Sequence, residues 1–218
     1  MKNLIKKLLF PIVISSQFLL PAFSFAKEKP EKKYKSNFYI GGSIGVYQGT
    51  EDMKNIYDNM FKLRGNIGLD LLKNFRLEGA LFYITDERGP VLHINSYGVE
   101  DMEIKSKIGI AGFEALANFL IPVKWPVFRL GAGLTFMRTT EEVSLSPLSL
   151  EDSSETFKVS ANAVGPLFIF GIDVPINKEK TKNVYVEFSD RSAKFKWIFG
   201  DTLDMGGSSL DVGMRFYH

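Results

Sequence analysis

The chain reads as all-β, an eight-stranded antiparallel up-and-down transmembrane β-barrel, and three observations predict it. Apolar and polar residues alternate with a period of two from Phe38 almost to the C-terminus, the signature of strands with one apolar face. The segments so defined are joined by connections that are alternately short and long, as in a barrel with one smooth and one elaborated end. Aromatic residues on the apolar parity gather at segment ends, where a membrane barrel carries its interfacial girdles. Composition agrees: 19 Phe and 19 Gly in 218 residues favour sheet over helix.

Residues 1–26 read as a secretory leader. Lys2, Lys6 and Lys7 precede an uncharged run from Leu8 to Ala26, which closes on Ser24-Phe25-Ala26, with small residues three and one before the expected cut. Pro11 and Pro21 argue against a retained helical anchor. Removing the leader takes away three lysines and no acids, leaving 24 basic against 25 acidic residues. The near-neutral balance excludes an electrostatically driven nucleic-acid partner. Residues 27–35 read as a flexible lead-in and 36–218 as the barrel. No later stretch is apolar for long enough to form a transmembrane helix.

In the first strand Phe38, Ile40, Gly42, Ile44 and Val46 share one face. In the second, Phe61, Leu63, Gly65, Ile67 and Leu69 alternate with Lys62, Arg64, Asn66, Gly68 and Asp70. Leu71–Asn74 is a short turn into the third, where Phe75, Leu77, Gly79, Leu81 and Tyr83 alternate with Arg76, Glu78 and Ala80. The fourth runs from about Lys105 to Ile121. Here Lys107 shares the parity of Phe113 and Phe119, so either a bulge lies near Gly109–Gly112 or Lys107 points outward at the rim. After Pro122–Pro126 the fifth sets Phe128, Leu130, Ala132, Leu134 and Phe136 against Arg129 and Thr135. The sixth begins at Phe157, with Lys158, Ser160 and Asn162 on its polar face. Pro166 lacks a ladder donor and predicts a bulge near Gly165-Pro166. The seventh carries Val184, Val186 and Phe188 against Glu187, and the eighth Leu210, Val212, Met214 and Phe216 against Asp211, Gly213 and Arg215. The long connections are about Gln48–Met60, Ile84–Met102, Arg138–Glu155 and Asp190–Gly207.

With the short turns at the periplasmic end, Phe38, Phe75, Phe119, Phe128 and Phe216, with Trp125 in a turn, form one girdle. Phe61, Tyr83, Phe136, Phe157 and Phe188 form the other. The polar parity then faces inward. An eight-stranded lumen is wide enough only for side chains, and buried ions need partners. The expected interior network is Arg64, Arg76, Glu78, Glu114, Arg129, Glu187 and Arg215, with Lys158 and Asn162 on the same face.

Three stretches carry a family resemblance: Asn37-Phe38-Tyr39-Ile40-Gly41-Gly42-Ser43-Ile44-Gly45, Gly65-Asn66-Ile67-Gly68-Leu69-Asp70 with Asn74-Phe75-Arg76-Leu77-Glu78, and Pro126-Val127-Phe128-Arg129-Leu130-Gly131-Ala132-Gly133-Leu134. Together they resemble the OmpA/OmpX-like small outer-membrane β-barrels over essentially the whole chain after the leader. In style they also look like the rickettsial surface-adhesin barrels of that group. The resemblance implies location in the cell outer membrane, contact with outer-membrane lipid or lipopolysaccharide, and insertion by the barrel-assembly machinery. Gly213 and Phe216 match the family's C-terminal assembly signal, although the chain continues to Tyr217-His218.

Enzymatic chemistry finds little to work with. There is no cysteine, and the two histidines are His93, in the second long connection, and the terminal His218. No serine–histidine motif, phosphate loop or metal spacing is present, so no cofactor, catalytic residue or metal ligand is expected. Function should then lie in the four long connections. Phe195, Trp197 and Phe199, beside Arg191, Lys194 and Lys196, are candidate contacts for lipid or for a host or envelope protein. The expectation is a non-enzymatic barrel serving envelope integrity or adhesion. A lipid-modifying or proteolytic outer-membrane enzyme, or a narrow channel, is the alternative.

Overall fold

The structure is a computed structural model that describes residues 37–50, 53, 57, 59–88, 93–94, 102–123, 126–147, 155–196 and 202–218. The segments expected to be a leader and a lead-in, together with Trp125, Trp197 and Phe199, lie outside the described residues. Eleven strands are present among them: β1 Asn37–Gly49, β2 Asn59–Leu72, β3 Phe75–Arg88, β4 His93–Ile94, β5 Met102–Pro122, β6 Val127–Pro147, β7 Glu155–Pro175, β8 Lys182–Arg191, β9 Lys194–Lys196, β10 Thr202–Asp204 and β11 Gly207–Tyr217. Eight of them close a ring in the order β1-β2-β3-β5-β6-β7-β8-β11 and back to β1, every pairing antiparallel. This is the eight-stranded antiparallel barrel the alternation predicts. The three short strands sit in the second and fourth long connections, where β4 pairs with β5 and β9 with β10.

Parity divides the wall as the sequence implies. Ile40, Ile44, Leu63, Ile67, Leu81, Leu134 and Val212 are exposed on the outer face, while Arg64, Glu78, Arg129, Glu187 and Arg215 are buried. Phe38, Phe119 and Phe216 stand exposed at the short-turn end, and Phe61, Tyr83, Phe136 and Phe188 towards the other.

Three expectations need correction. The third long connection is mostly strand: β6 continues to Pro147 and β7 starts at Glu155, in unbroken register from Val127↔Asp173 to Leu145↔Glu155. The sixth barrel strand also has the opposite parity at its start. Lys158 and Asn162 are exposed with Val164 and Phe168 on the outer side, and Phe157 lies on the other side, so it is not a girdle residue. Beyond the mouth both faces of the sheet meet solvent, and polarity no longer marks the lumen there.

The third correction is at Pro166, which causes no bulge. The β6–β7 register passes through Leu134↔Pro166 unchanged. On the opposite edge, Leu167↔Arg191 and Val164↔Lys194 share one register, and the ladder is interrupted between them. Ser192 N–H donates to Pro166 O at 3.2 Å, and Pro166 has no N–H to return the bond. The proline therefore splits one long strand into β8 and β9 without shifting it. Gly165 is required beside it, since a Cβ there would sit 1.6 Å from Ser192 O. Lys107 takes the second of its two readings. Register is continuous along β5, and Lys107 is 54% exposed on the outer face, 3.3 Å from Glu87.

Candidate functional site

The lumen is filled in two zones. The zone nearer the short turns is mainly ionic, with Leu116, Leu167 and Ile169 forming a small apolar cluster among the charges. Six cations (Lys62, Arg64, Arg76, Arg129, Arg191, Arg215) and six anions (Asp70, Glu78, Glu114, Asp173, Glu187, Asp211) are all buried, so the zone is neutral by pairing. All seven residues expected in an interior network are there. Glu78 on β3 is the hub: Arg64 Nη2 donates to Oε1 at 2.6 Å, Arg129 Nη1 to Oε2 at 3.0 Å, and Arg215 Nη2 lies 3.6 Å away. Tyr39 donates its hydroxyl to the same carboxylate, and Asn66 Nδ2 donates at 3.2 Å.

Around this hub Glu187 accepts from Arg129, and Glu114 accepts from Arg64 Nε at 2.8 Å and faces Arg191 Nη2 at 3.1 Å. Asp173 takes Arg215 Nη1 at 2.6 Å and Arg76 Nη1 at 3.1 Å, and Arg76 Nε also reaches Asp70 at 2.6 Å. Lys62 Nζ reaches Asp211 at 2.7 Å. Buried charges in such a network are held because each would be left uncompensated without its partners. Aromatic rings complete the packing, with the Arg215 guanidinium 3.6 Å from the Tyr185 ring centre.

The zone towards the long connections is apolar. Tyr47, Met60, Phe82, Ile84, Ile108, Ile110, Met137 and Ala163 point inward from the wall, and Met53, Tyr57, Ala193 and Met205 close over them from the connections. Met53 and Tyr57 belong to the first long connection, where Tyr57 N–H donates to Met53 O at 2.7 Å. The Tyr57 hydroxyl reaches Ser106 and donates to Glu141 Oε1 at 2.9 Å. Burial is the main cause that pushes this phenol above its ordinary value of 10. Thr50 N–H donates to Gly206 O at 3.1 Å, Tyr47 donates its hydroxyl to Met205 O at 2.9 Å, and Met205 N–H donates to Ala193 O at 2.8 Å. Connections one and four are thereby stitched together over the mouth. The zones meet where Arg191 lies 5.3 Å from the Tyr47 ring centre and 4.9 Å from that of Phe82.

Sequence reasoning missed Lys62, Asp70, Asp173, Arg191 and Asp211 as members of the ionic zone, and it missed the apolar zone entirely. The signal for the former was present, since Lys62, Asp70 and Asp211 were already placed on the polar parity. Of the proposed connection contacts, Phe195 is in β9 and its side chain lies outside the described residues, as do the Trp197 and Phe199 residues. His93 is in β4, its side chain likewise outside them, and His218 is at the short-turn end, where its N–H donates to Phe38 O at 2.9 Å. Gly213 lies against the lumen, where a Cβ would meet Gly42 O at 2.2 Å and the Tyr185 ring at 2.7 Å. Phe216 is exposed on the outer face, and the Tyr217 hydroxyl accepts from Arg76 Nη2 at 2.8 Å.

A closed ring of eight antiparallel strands with an apolar exterior and a charged, filled lumen is the fold of the small outer-membrane barrels. Among solved structures, the chain is similar to Neisserial surface protein A, at 13% identity and a TM-score of 0.55, covering 84% of this chain and 99% of that one. It is similar to the outer membrane protein OprG from Pseudomonas aeruginosa, at 11% identity and a TM-score of 0.52, covering 84% and 96%. It is also similar to Ail, the attachment invasion locus protein of Yersinia pestis, at 12% identity and a TM-score of 0.51, covering 85% and 100%. At these identities the likeness is one of fold. No protein-family model matches the sequence, and no curated protein matches it.

Proposed function

We propose that this chain is a non-enzymatic outer-membrane barrel, exported by its leader, that acts through the surface it raises above the bilayer, in attachment or another surface interaction. The observation that carries this reading is the inequality of the strands. Three adjacent strands, β5, β6 and β7, have 21 residues each, against 13 in β1 and 10 in β8. A tilted strand crosses a bilayer with about 10 residues. The rest of each long strand, on the order of 30 Å at ~3.3 Å per residue, forms a sheet standing beyond the mouth. A lumen filled by paired ions and, towards the long connections, by apolar side chains favours display over conduction. One neighbour in fold, Ail, is called an attachment invasion locus protein and was solved with a heparin analogue, which fits the same reading.

The test is to shorten the sheet. Val143 and Phe157 are register partners, so replacing 144–156 with an Asn-Gly turn leaves a closed hairpin. The shortened chain is expected to keep the heat-dependent gel migration of a folded barrel. Non-adherent bacteria displaying it should lose the binding to cultured epithelial monolayers that the full chain confers. Equal binding by both chains would refute the assignment to this sheet.

A further inference from the structure

Two hollows on the outer wall adjoin at a single side chain. The first is apolar, about 720 Å³ in volume, and runs across β11, β1, β2 and β3. It exists because two outward glycines, Gly42 and Gly65, are direct register partners, with Leu63, Leu81, Val212 and Met214 standing around them. A Cβ built on Gly65 would meet nothing within 4 Å. The gap is therefore open space on the wall and is not a close-packing requirement, unlike the inward glycines of the same strands. The second hollow, about 270 Å³, lies towards the mouth across β5, β6 and β7 and is lined by Lys107, Arg138, Lys158 and Glu142 over Gly109. Tyr83 borders both. Its ring leans over Gly109, with the hydroxyl 3.2 Å from where a Cβ would be.

We propose that the two hollows form one site for an outer-leaflet lipid that bears acyl chains and a phosphate group. An acyl chain fills the groove over Gly42 and Gly65, Tyr83 stands at the interface, and the phosphate sits among Lys107, Arg138 and Lys158. The proposal deepens the membrane reading given above and rests on it. Charge supports this occupant over a second copy of the chain. Three cations and one carboxylate line the upper hollow, and Arg138 has no charged partner among the described residues. Glu142 is held by Lys158 at 2.6 Å and Glu87 by Lys107 at 3.3 Å, both pairs exposed and open to exchange for a phosphate. Guanidinium and ammonium groups just outside an aromatic girdle match the depth at which a phosphorylated headgroup meets a barrel.

The full chain, folded in a neutral detergent, is incubated with diphosphoryl lipid A, with phosphatidylcholine of matched acyl length, or with inorganic phosphate, and retained molecules are read by native mass spectrometry. The expected result is one lipid A retained per chain, with phosphatidylcholine and inorganic phosphate held at least tenfold more weakly. Gly65→Leu, which fills open space on the outer wall, and Arg138→Gln should each weaken lipid A retention about tenfold while leaving heat-dependent migration unchanged. If Gly65→Leu retains lipid A like the parent, the groove is not the site and the proposal falls. It falls equally if phosphatidylcholine binds as tightly as lipid A, or if Gly65→Leu abolishes a dimer and leaves lipid retention intact. A chain that stays in solution without detergent and shows no heat-dependent migration would refute the membrane reading itself, a failure distinct from loss of lipid by a folded barrel.

Discussion

Glu78 in the lower lumen faces three guanidinium groups, a phenol and an amide, whereas Met137 in the upper lumen sits among isoleucines, methionines and aromatic rings. Both fill the same barrel on the same inward parity, yet they are held by opposite physics. The ionic zone depends on every charge finding its counter-charge, so it tolerates shape changes better than charge changes. The apolar zone depends on volume, so it tolerates like-for-like replacement and penalises cavities. Inward parity is therefore not one environment. Within the ring, fixed strands arrange ions, and above them two connections fold inward and bury apolar groups.

The largest expected effect comes from breaking the ionic hub. Glu78→Gln keeps the shape and removes the charge, leaving Arg64, Arg129 and Arg215 short of a partner. It should cost about 3–5 kcal/mol in urea unfolding from lipid vesicles. Next is the apolar zone: Ile110→Ala should cost about 2–4 kcal/mol, while Met137→Leu, which conserves volume, should cost less than ~1.5 kcal/mol. If Glu78→Gln proved as mild as Met137→Leu, the distinction between the zones would fail.

A smaller effect is expected at the roof. Tyr57→Phe removes the hydrogen bonds to Ser106 and Glu141 and should cost about 1 kcal/mol, seen as faster amide exchange at Tyr57 and Met53. Because folding raises this phenol's pKa, the closed roof is fully stable below pH 10 and weakens as the pH rises past 10. Protection at Met53, taken relative to the intrinsic base-catalysed exchange rate, should therefore fall above pH 10 in the parent and not in Tyr57→Phe. The smallest effect is at the split strand. Pro166→Ala restores a donor opposite Ser192 and should stabilise the chain by less than ~1 kcal/mol, since the gained bond is offset by a freer unfolded chain. Slower exchange at Ser192 and Ala193 would show the ladder joined.

The wall was legible in the sequence because a strand crossing apolar surroundings must alternate, and residues such as Ile40, Leu63, Leu81 and Val212 could only face out. The ionic zone was legible in part for the same reason. Asp173 and Arg191 escaped notice because they stand close to a turn and to a connection, where alternation gives way. The apolar zone was not legible, since Ile84, Ile108, Ile110 and Met137 occupy a parity where polarity is expected, and Tyr57 and Met53 reach it from a connection. The parity of Lys158 and Asn162 was misread from Phe157, which stands beyond the mouth, where facing in and facing out carry the same solvent. Pro166 predicts a bulge because it lacks a donor, but its strand keeps its register and the interruption falls on the neighbouring strand instead.

The proposed display role requires a sealed lumen, which planar-bilayer recording of the refolded chain tests. A sealed lumen predicts no discrete conductance at neutral pH, in the parent and in Tyr57→Phe alike, because the ionic zone still fills the barrel beneath the roof. Reproducible single-channel steps from the parent chain, lost when the chain is heat-unfolded before addition, would contradict it.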